Sequence, residues 1–181
     1  TGKAMRDAAP MAGETFPFVI ISHGYPGNRY LMSHLAENIA SKGYVVASVD
    51  HTDSNYQDAG PFASTLYNRP RDQKFILNEM YRMNENSDHF LYGMVDANNA
   101  GLMGYSMGGY GALITAGAGI TDEVANTASV SPQGILKTLV AGSDSHNDML
   151  NGLNYKAIVA FAPWGLERDF WDERGLSNIR L

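Results

Sequence analysis

Apolar residues along the chain gather into short uninterrupted runs, and between them lie stretches with helical spacing. The run FPFVIIS, residues 16–22, is rich in β-branched side chains and ends at His23-Gly24-Tyr25-Pro26-Gly27. That pattern predicts a buried strand entering a glycine-rich turn. Over residues 30–42, Leu31, Leu35, Ile39 and Ala40 recur at helical spacing and Gly43 supplies a stop, so a helix follows the strand. YVVASV, residues 44–49, lacks alternation and predicts a strand buried on both faces, running into Asp50-His51-Thr52-Asp53-Ser54-Asn55. Residues 61–70 read as a loop, and residues 72–83 as a helix with Phe75, Ile76, Met80 and Met83 on one face. Asp96-Ala97-Asn98-Asn99 is turn-like. AGLMGY, residues 100–105, is a third strand, followed by Ser106 and a small-residue helix over 107–119. Residues 120–152 are polar around one apolar helix-like piece at 135–140, and read as a lid or as a surface insertion. YKAIVAFA, residues 155–162, predicts a fourth buried strand, stopped by Pro163. Residues 1–6 read as the tail of an earlier strand.

Strands alternating with helices predict a mostly parallel sheet with helices on both faces, in a single domain over residues 1–181. Charge narrows the functions open to it. With 13 Lys+Arg against 19 Asp+Glu the net charge is -6, so there is no basic field to neutralise a nucleic-acid backbone. No run approaches the 18 or so apolar residues of a membrane-spanning helix. The absence of cysteine excludes disulfides, a thiolate nucleophile and thiolate-bound metals.

Gly104-Tyr105-Ser106-Met107-Gly108, followed by Gly109, is the strongest chemical signal. In a chain with 19 glycines this spacing alone is weak. Its context strengthens it: an apolar strand enters and a helix leaves, the arrangement that sets a serine on a strained strand-to-helix turn. Side chains at 104 and 108 would collide with the neighbouring strand and helix. Ser106 would then project from the C-terminal edge of the sheet, where open α/β sheets bind ligands, beside the positive pole of a helix.

These residues resemble the α/β-hydrolase superfamily. GYSMGG has the form of its nucleophile elbow, and VIISHGYPG, about eighty residues upstream, that of its oxyanion-hole turn. The closer likeness is to its serine esterases: the dienelactone-hydrolase-like and platelet-activating-factor-acetylhydrolase-like enzymes and the cutinase-like polyester hydrolases. In the last group the oxyanion turn carries Gly-Tyr, matched by Gly24-Tyr25, and the strand after the elbow helix ends in Pro-Trp, matched by Pro163-Trp164. The likeness covers residues 16–181, thinly over 118–152. It implies the α/β-hydrolase fold and a serine carboxylic-ester hydrolase working through an acyl-enzyme on Ser106. It further implies an oxyanion hole from the backbone N–H groups of Tyr25 and Met107, a cleft lined by the Tyr25 and Trp164 rings, and no cofactor or metal.

A serine nucleophile needs a histidine base oriented by a carboxylate, and in this superfamily both follow the serine in the chain. Here His23, His34, His51 and His89 precede Ser106, and His146 falls in a polar stretch before the Pro-Trp strand. None matches. Asp169 is a nominal acid, within WGLERDFWDE, which also reads as a solvated connection. The domain is therefore expected to be incomplete at both ends, with acid and histidine on a second polypeptide fragment or missing segment. The alternatives are an inactive relative serving as a binding or interaction protein, and an amide or peptide hydrolase using the same acyl-transfer groups. His23 reads as a hydrogen-bonded turn histidine, and Asp50, His51 and Asp53 as a hydrogen-bonded loop rather than a metal site. Residues 144–148 read as a solvated loop, the nine methionines as core filling, and Trp164 as either a cleft or a core aromatic.

Overall fold

The computed structural model of the chain describes residues 4–11 and 13–180. Four strands, β1 (Phe16–Ser22), β2 (Val45–Ser48), β3 (Val95–Tyr105) and β4 (Tyr155–Phe161), form one sheet in the order β2-β1-β3-β4. Every pairing is parallel. Helices α1 (Ser33–Ala40), α2 (Phe62–Glu85) and α3 (Met107–Thr115) connect them. Three short helices complete the described chain: α4 (Asp122–Asn126), α5 (Asp144–Leu150) and α6 (Glu173–Leu176), together with a 3₁₀ segment over Pro132–Leu139 broken at Gln133 and Gly134.

Strand pleating sorts the side chains. Phe18, Ile20, Leu102 and Tyr155 point to the face covered by α2 and α3, where they meet Leu77, Met80 and Ala112. Val19, Met103, Ala157 and Val159 point to the other, where α1 contributes Ile39 and a groove of about 580 Å³ remains open. Helices thus lie on both faces, as the alternation of elements requires. β2 and β4 are edge strands among the described residues. Both were expected to be buried, yet β2 is half-buried throughout and Lys156, Ala157, Val159 and Phe161 of β4 are exposed, because each strand has a partner on one side only.

Residues 61–70 are not a loop. Phe62 opens α2, which continues through Pro70 to Glu85. An interior proline costs a helix about 3 kcal/mol, but Leu66, Arg69, Gln73, Leu77 and Met80 form one unbroken buried stripe across it. The turn-like residues 96–99 lie inside β3 as an irregularity: Pro17 pairs with Asp96, and the next residue, Phe18, pairs with Ala100. Residues 120–152 are neither lid nor surface insertion. Ile120, Val124, Ala125, Leu136, Leu139 and Met149 are buried in one cluster with Leu66, Tyr110, Ile114 and Phe170. Residues 144–148 belong to α5, capped by the Ser143 hydroxyl accepting from the His146 N–H. Of the strand tail expected at residues 1–6, residues 1–3 lie outside the described residues and Ala4, Met5 and Arg6 form no strand.

Face assignment makes a testable contrast on Leu102 and Phe75. Leu102→Ala is expected to lower the unfolding free energy by about 2–5 kcal/mol. Phe75→Ala, on the exposed side of α2, should change it by no more than about 0.5 kcal/mol. Urea denaturation measures both.

Candidate active site

β3 delivers Ser106 to the C-terminal edge of the sheet and α3 leaves from it. The serine backbone stands at φ 52, ψ -111, a conformation that L residues adopt only under constraint. The constraints are identifiable. The Ser106 N–H donates to the Phe161 carbonyl at 2.9 Å, and the Ser106 carbonyl accepts from the Tyr110 and Trp164 N–H groups, each at 3.0 Å. A Cβ at Gly104 would collide with the Gly108 carbonyl, and one at Gly108 with the Ser22 carbonyl. Both glycines are therefore fixed by contact. Ser106 itself is half-buried, between a buried Gly104 and a buried Met107.

The turn after β1 meets this elbow directly. A Cβ at Gly24 would lie 3.3 Å from the Ser106 Cβ, so the Gly24–Tyr25 peptide sits against the serine. Among the described residues the Tyr25 N–H is not taken by a backbone acceptor. The Met107 N–H, in the first turn of α3, has no acceptor within the helix. The half-buried Tyr25 ring donates its hydroxyl to the Gly60 carbonyl at 3.0 Å and meets Phe62 edge-on at 5.3 Å. Phe62 in turn meets Trp164 at 4.8 Å, and Trp164 packs edge-on against Tyr110 and Phe170. Trp164 is half-buried, joined to the core through Tyr110 and Phe170, with the Arg168 guanidinium 5.4 Å from its ring centroid. Ser106, the Gly24–Tyr25 peptide, Met107 and Trp164 thus come together at one edge.

No imidazole joins them. The proton positions of His23 and His51 follow from their partners. The His51 N–H donates to His23 Nε2 at 3.3 Å, which leaves His23 Nδ1 as the protonated nitrogen, 2.6 Å from the Gly24 carbonyl. His51 Nδ1 lies 3.1 Å from Asp72 Oδ2, and its Nε2 lies 2.8 Å from the Ser22 hydroxyl. His146 is buried on the inner face of α5, His34 is exposed on α1, and His89 stacks on Phe90. The Asp169 carboxylate is exposed and makes no hydrogen bond or ion pair among the described residues.

Sequence reading missed a buried Ser22–His51–Asp72 chain and the two α2 side chains that extend it. Gln73 donates from Nε2 to the Ser22 hydroxyl at 2.9 Å and to the Gly108 carbonyl at 3.1 Å. Arg69 donates to the His23 carbonyl, the Ser54 hydroxyl and, at 3.5 Å, the Gly24 carbonyl. The available signal was two polar residues, Arg69 and Gln73, on the apolar stripe of a helix. Ser22 is fully buried, so this chain has the donor order of a catalytic triad without access to a substrate. Burial and then the Arg69 charge lower His51 to about 3 and His23 to about 4. Burial pushes the Asp72 carboxyl up, but the bonds from His51 and Thr52 outweigh it and hold it below the usual range. Asp50 takes both Arg29 Nε and Nη2, at 2.9 and 2.7 Å, and Asp53 accepts from Ser64 and Asn68. Among the described residues no three His, Asp or Glu side chains converge on a metal position.

A parallel sheet whose third strand ends in a serine held on a strained turn defines an α/β-hydrolase fold. Residues 8–133 match the family model described as PETase, PET hydrolase-like, and the chain belongs to that family. It is 31% identical over 106 residues to Cutinase 2 of Thermobifida cellulosilytica, a match covering 58% of this chain and 36% of that protein. It is also 31% identical over 106 residues to Cutinase cut1 of Thermobifida fusca, covering 58% of this chain and 29% of that protein. A third match, to platelet-activating factor acetylhydrolase of Bos taurus, is 36% identical over 67 residues, 37% of this chain and 14% of that protein. The chain thus matches about a third of the length of the cutinases.

Two predictions follow the geometry. Gly108→Ala is expected to destabilise by about 1–3 kcal/mol or more, whereas Gly101→Ala, with no atom closer than 3.6 Å to the new methyl, should shift the urea midpoint far less. His23 and His51 have lowered values in the folded state, so the unfolded chain takes up protons first as pH falls below about 6.5. Stability is therefore expected to drop between pH 7 and pH 5. The same urea midpoint at both values would mean that the rings are not held neutral.

Proposed function

We propose that this chain carries the nucleophile and oxyanion hole of a serine carboxylic-ester hydrolase that works through an acyl-enzyme. The observation that carries the reading is the half-buried Ser106 on its strained turn, with the Gly24–Tyr25 peptide packed against it. The family match and the cutinase and acetylhydrolase relatives support it, and they support an ester, small or polymeric, as the substrate class. Ser106 Oγ attacks the ester carbonyl carbon while a base takes its proton. The carbonyl oxygen becomes an oxyanion facing the N–H groups of Tyr25 and Met107, donors that gain most when charge develops. Collapse expels the alcohol, which takes the proton, and leaves the acyl group on Ser106. Water then repeats the sequence to release the acid. The Tyr25 and Trp164 rings hold the acyl or aromatic part of the substrate by apolar contact.

Base and acid are provided by a segment outside these 181 residues, on the same or a second polypeptide. The support is that both ring nitrogens of His23 and of His51 are already engaged and that, among the described residues, no imidazole bonds Ser106. That same absence supports the second reading, an inactive relative that binds an ester without turning it over.

Fluorophosphonate labelling separates the two, because it needs an activated serine. Label is expected on Ser106 in the protein that carries its histidine segment, and not on the 181-residue chain alone. Ser106→Ala should abolish p-nitrophenyl ester hydrolysis, a loss of at least about 10³-fold, with an unchanged circular dichroism spectrum. Retained turnover would overturn the assignment, and cleavage of a matching p-nitroanilide at a comparable rate would move it to amides.

A further inference from the structure

Each proposed oxyanion donor shares a peptide plane with a carbonyl, and the planarity of the peptide makes the direction of one fix the direction of the other. For Met107 the carbonyl is that of Ser106, held by the Tyr110 and Trp164 N–H groups. For Tyr25 it is that of Gly24, and among the described residues no backbone donor reaches it. The Gly24 carbonyl is held by side chains instead: His23 Nδ1 at 2.6 Å and Arg69 Nη2 at 3.5 Å.

We infer that His23 is a positioning residue for ester hydrolysis, its Nδ1–H holding the Gly24 carbonyl so that the Tyr25 N–H faces the oxyanion. The inference rests on the acyl-enzyme reading of Ser106. Two contacts fix the ring in the required state and a third fixes the backbone that carries it. The His51 N–H occupies Nε2 and so sets the tautomer that puts the proton on Nδ1. Gly27 packs against the ring, where a Cβ would collide with Nδ1 and Cγ. Arg69 grips the His23 carbonyl from α2, tying the residue's own backbone to the helix core. The side chain is 2% exposed, so water does not compete for the bond. Burial and the nearby Arg69 charge keep the ring neutral, which preserves the acceptor that the His51 N–H needs. His23 touches no substrate: it acts through the Gly24–Tyr25 peptide.

Role and mere packing make different predictions. Asn places an amide N–H near the position of Nδ1, Gln places one near Nε2, and Phe fills the volume with neither. In the full enzyme with its base present, His23→Phe is expected to lower kcat on a p-nitrophenyl ester about 10–100-fold with KM within about twofold, less than the roughly 10²–10³-fold cost of removing an oxyanion donor outright, because the Tyr25 N–H is misaimed rather than lost. His23→Asn should retain kcat within about threefold, and His23→Gln should fall with His23→Phe. If His23→Phe fails to fold by circular dichroism, the Asn and Gln pair decides alone. Equal kcat in Asn and Gln, or a loss confined to KM, would overturn the inference. Absence of Ser106-dependent turnover in the parent enzyme would instead overturn the acyl-enzyme reading on which it depends.

Discussion

Everything at the sheet edge depends on holding one residue in a backbone conformation it would not choose. Ser106, at φ 52 and ψ -111, is held by its N–H on the Phe161 carbonyl and by its carbonyl under the Tyr110 and Trp164 N–H groups. Its neighbours can approach because Gly104 and Gly108 lack side chains where the backbones meet. Strain of this kind costs about 1–3 kcal/mol and persists only where the surroundings over-determine it. β1, β3, β4 and α3 all contribute, which is why the parallel order of the sheet and the chemistry of its edge are one problem.

A second constraint lies beneath the edge. Arg69 is buried and charged, and burial lowers it only to about 9, so it remains a cation at neutral pH. An unpaired buried cation would be costly. Its Nη1 and Nη2 groups are taken up by the His23 and Gly24 carbonyls and the Ser54 hydroxyl, while Nε has no hydrogen-bond partner among the described residues, and Gln73, one turn along α2, bonds Ser22 and the Gly108 carbonyl. One helix face thereby ties the turn after β1 to the first turn of α3. Ser22, His51 and Asp72 continue the network with every donor matched to an acceptor. Their order copies a catalytic triad, yet the serine is sealed, so what they supply is rigidity.

The strands Phe16–Ser22 and Tyr155–Phe161 were legible because a β-branched apolar run bounded by turn residues has few other readings. The serine elbow was legible for a mechanical reason: only glycine fits beside so sharp a turn. α2 was half legible, since Pro70 masked a stripe that tertiary burial made continuous. Residues 120–152 misled because helices of five to eight residues are too short to show a period, and their apolar residues become a core only when set against Tyr110 and Ile114. The His51 relay was not legible at all. Its partners are 29 and 21 residues away, and nothing local marks them. Tyr25 and Trp164 were legible as neighbours only through the family likeness, and Phe62, which joins them, lay in a stretch taken for loop.

The central claim is geometric: an oxyanion formed on Ser106 is received by the Tyr25 and Met107 N–H groups. The most direct measurement is a crystal structure of the full enzyme with a phosphonate bound to Ser106. The account predicts one phosphoryl oxygen within about 2.7–3.1 Å of both nitrogens. An adduct on another residue, or a phosphoryl oxygen turned to solvent away from Tyr25 and Met107, would contradict it.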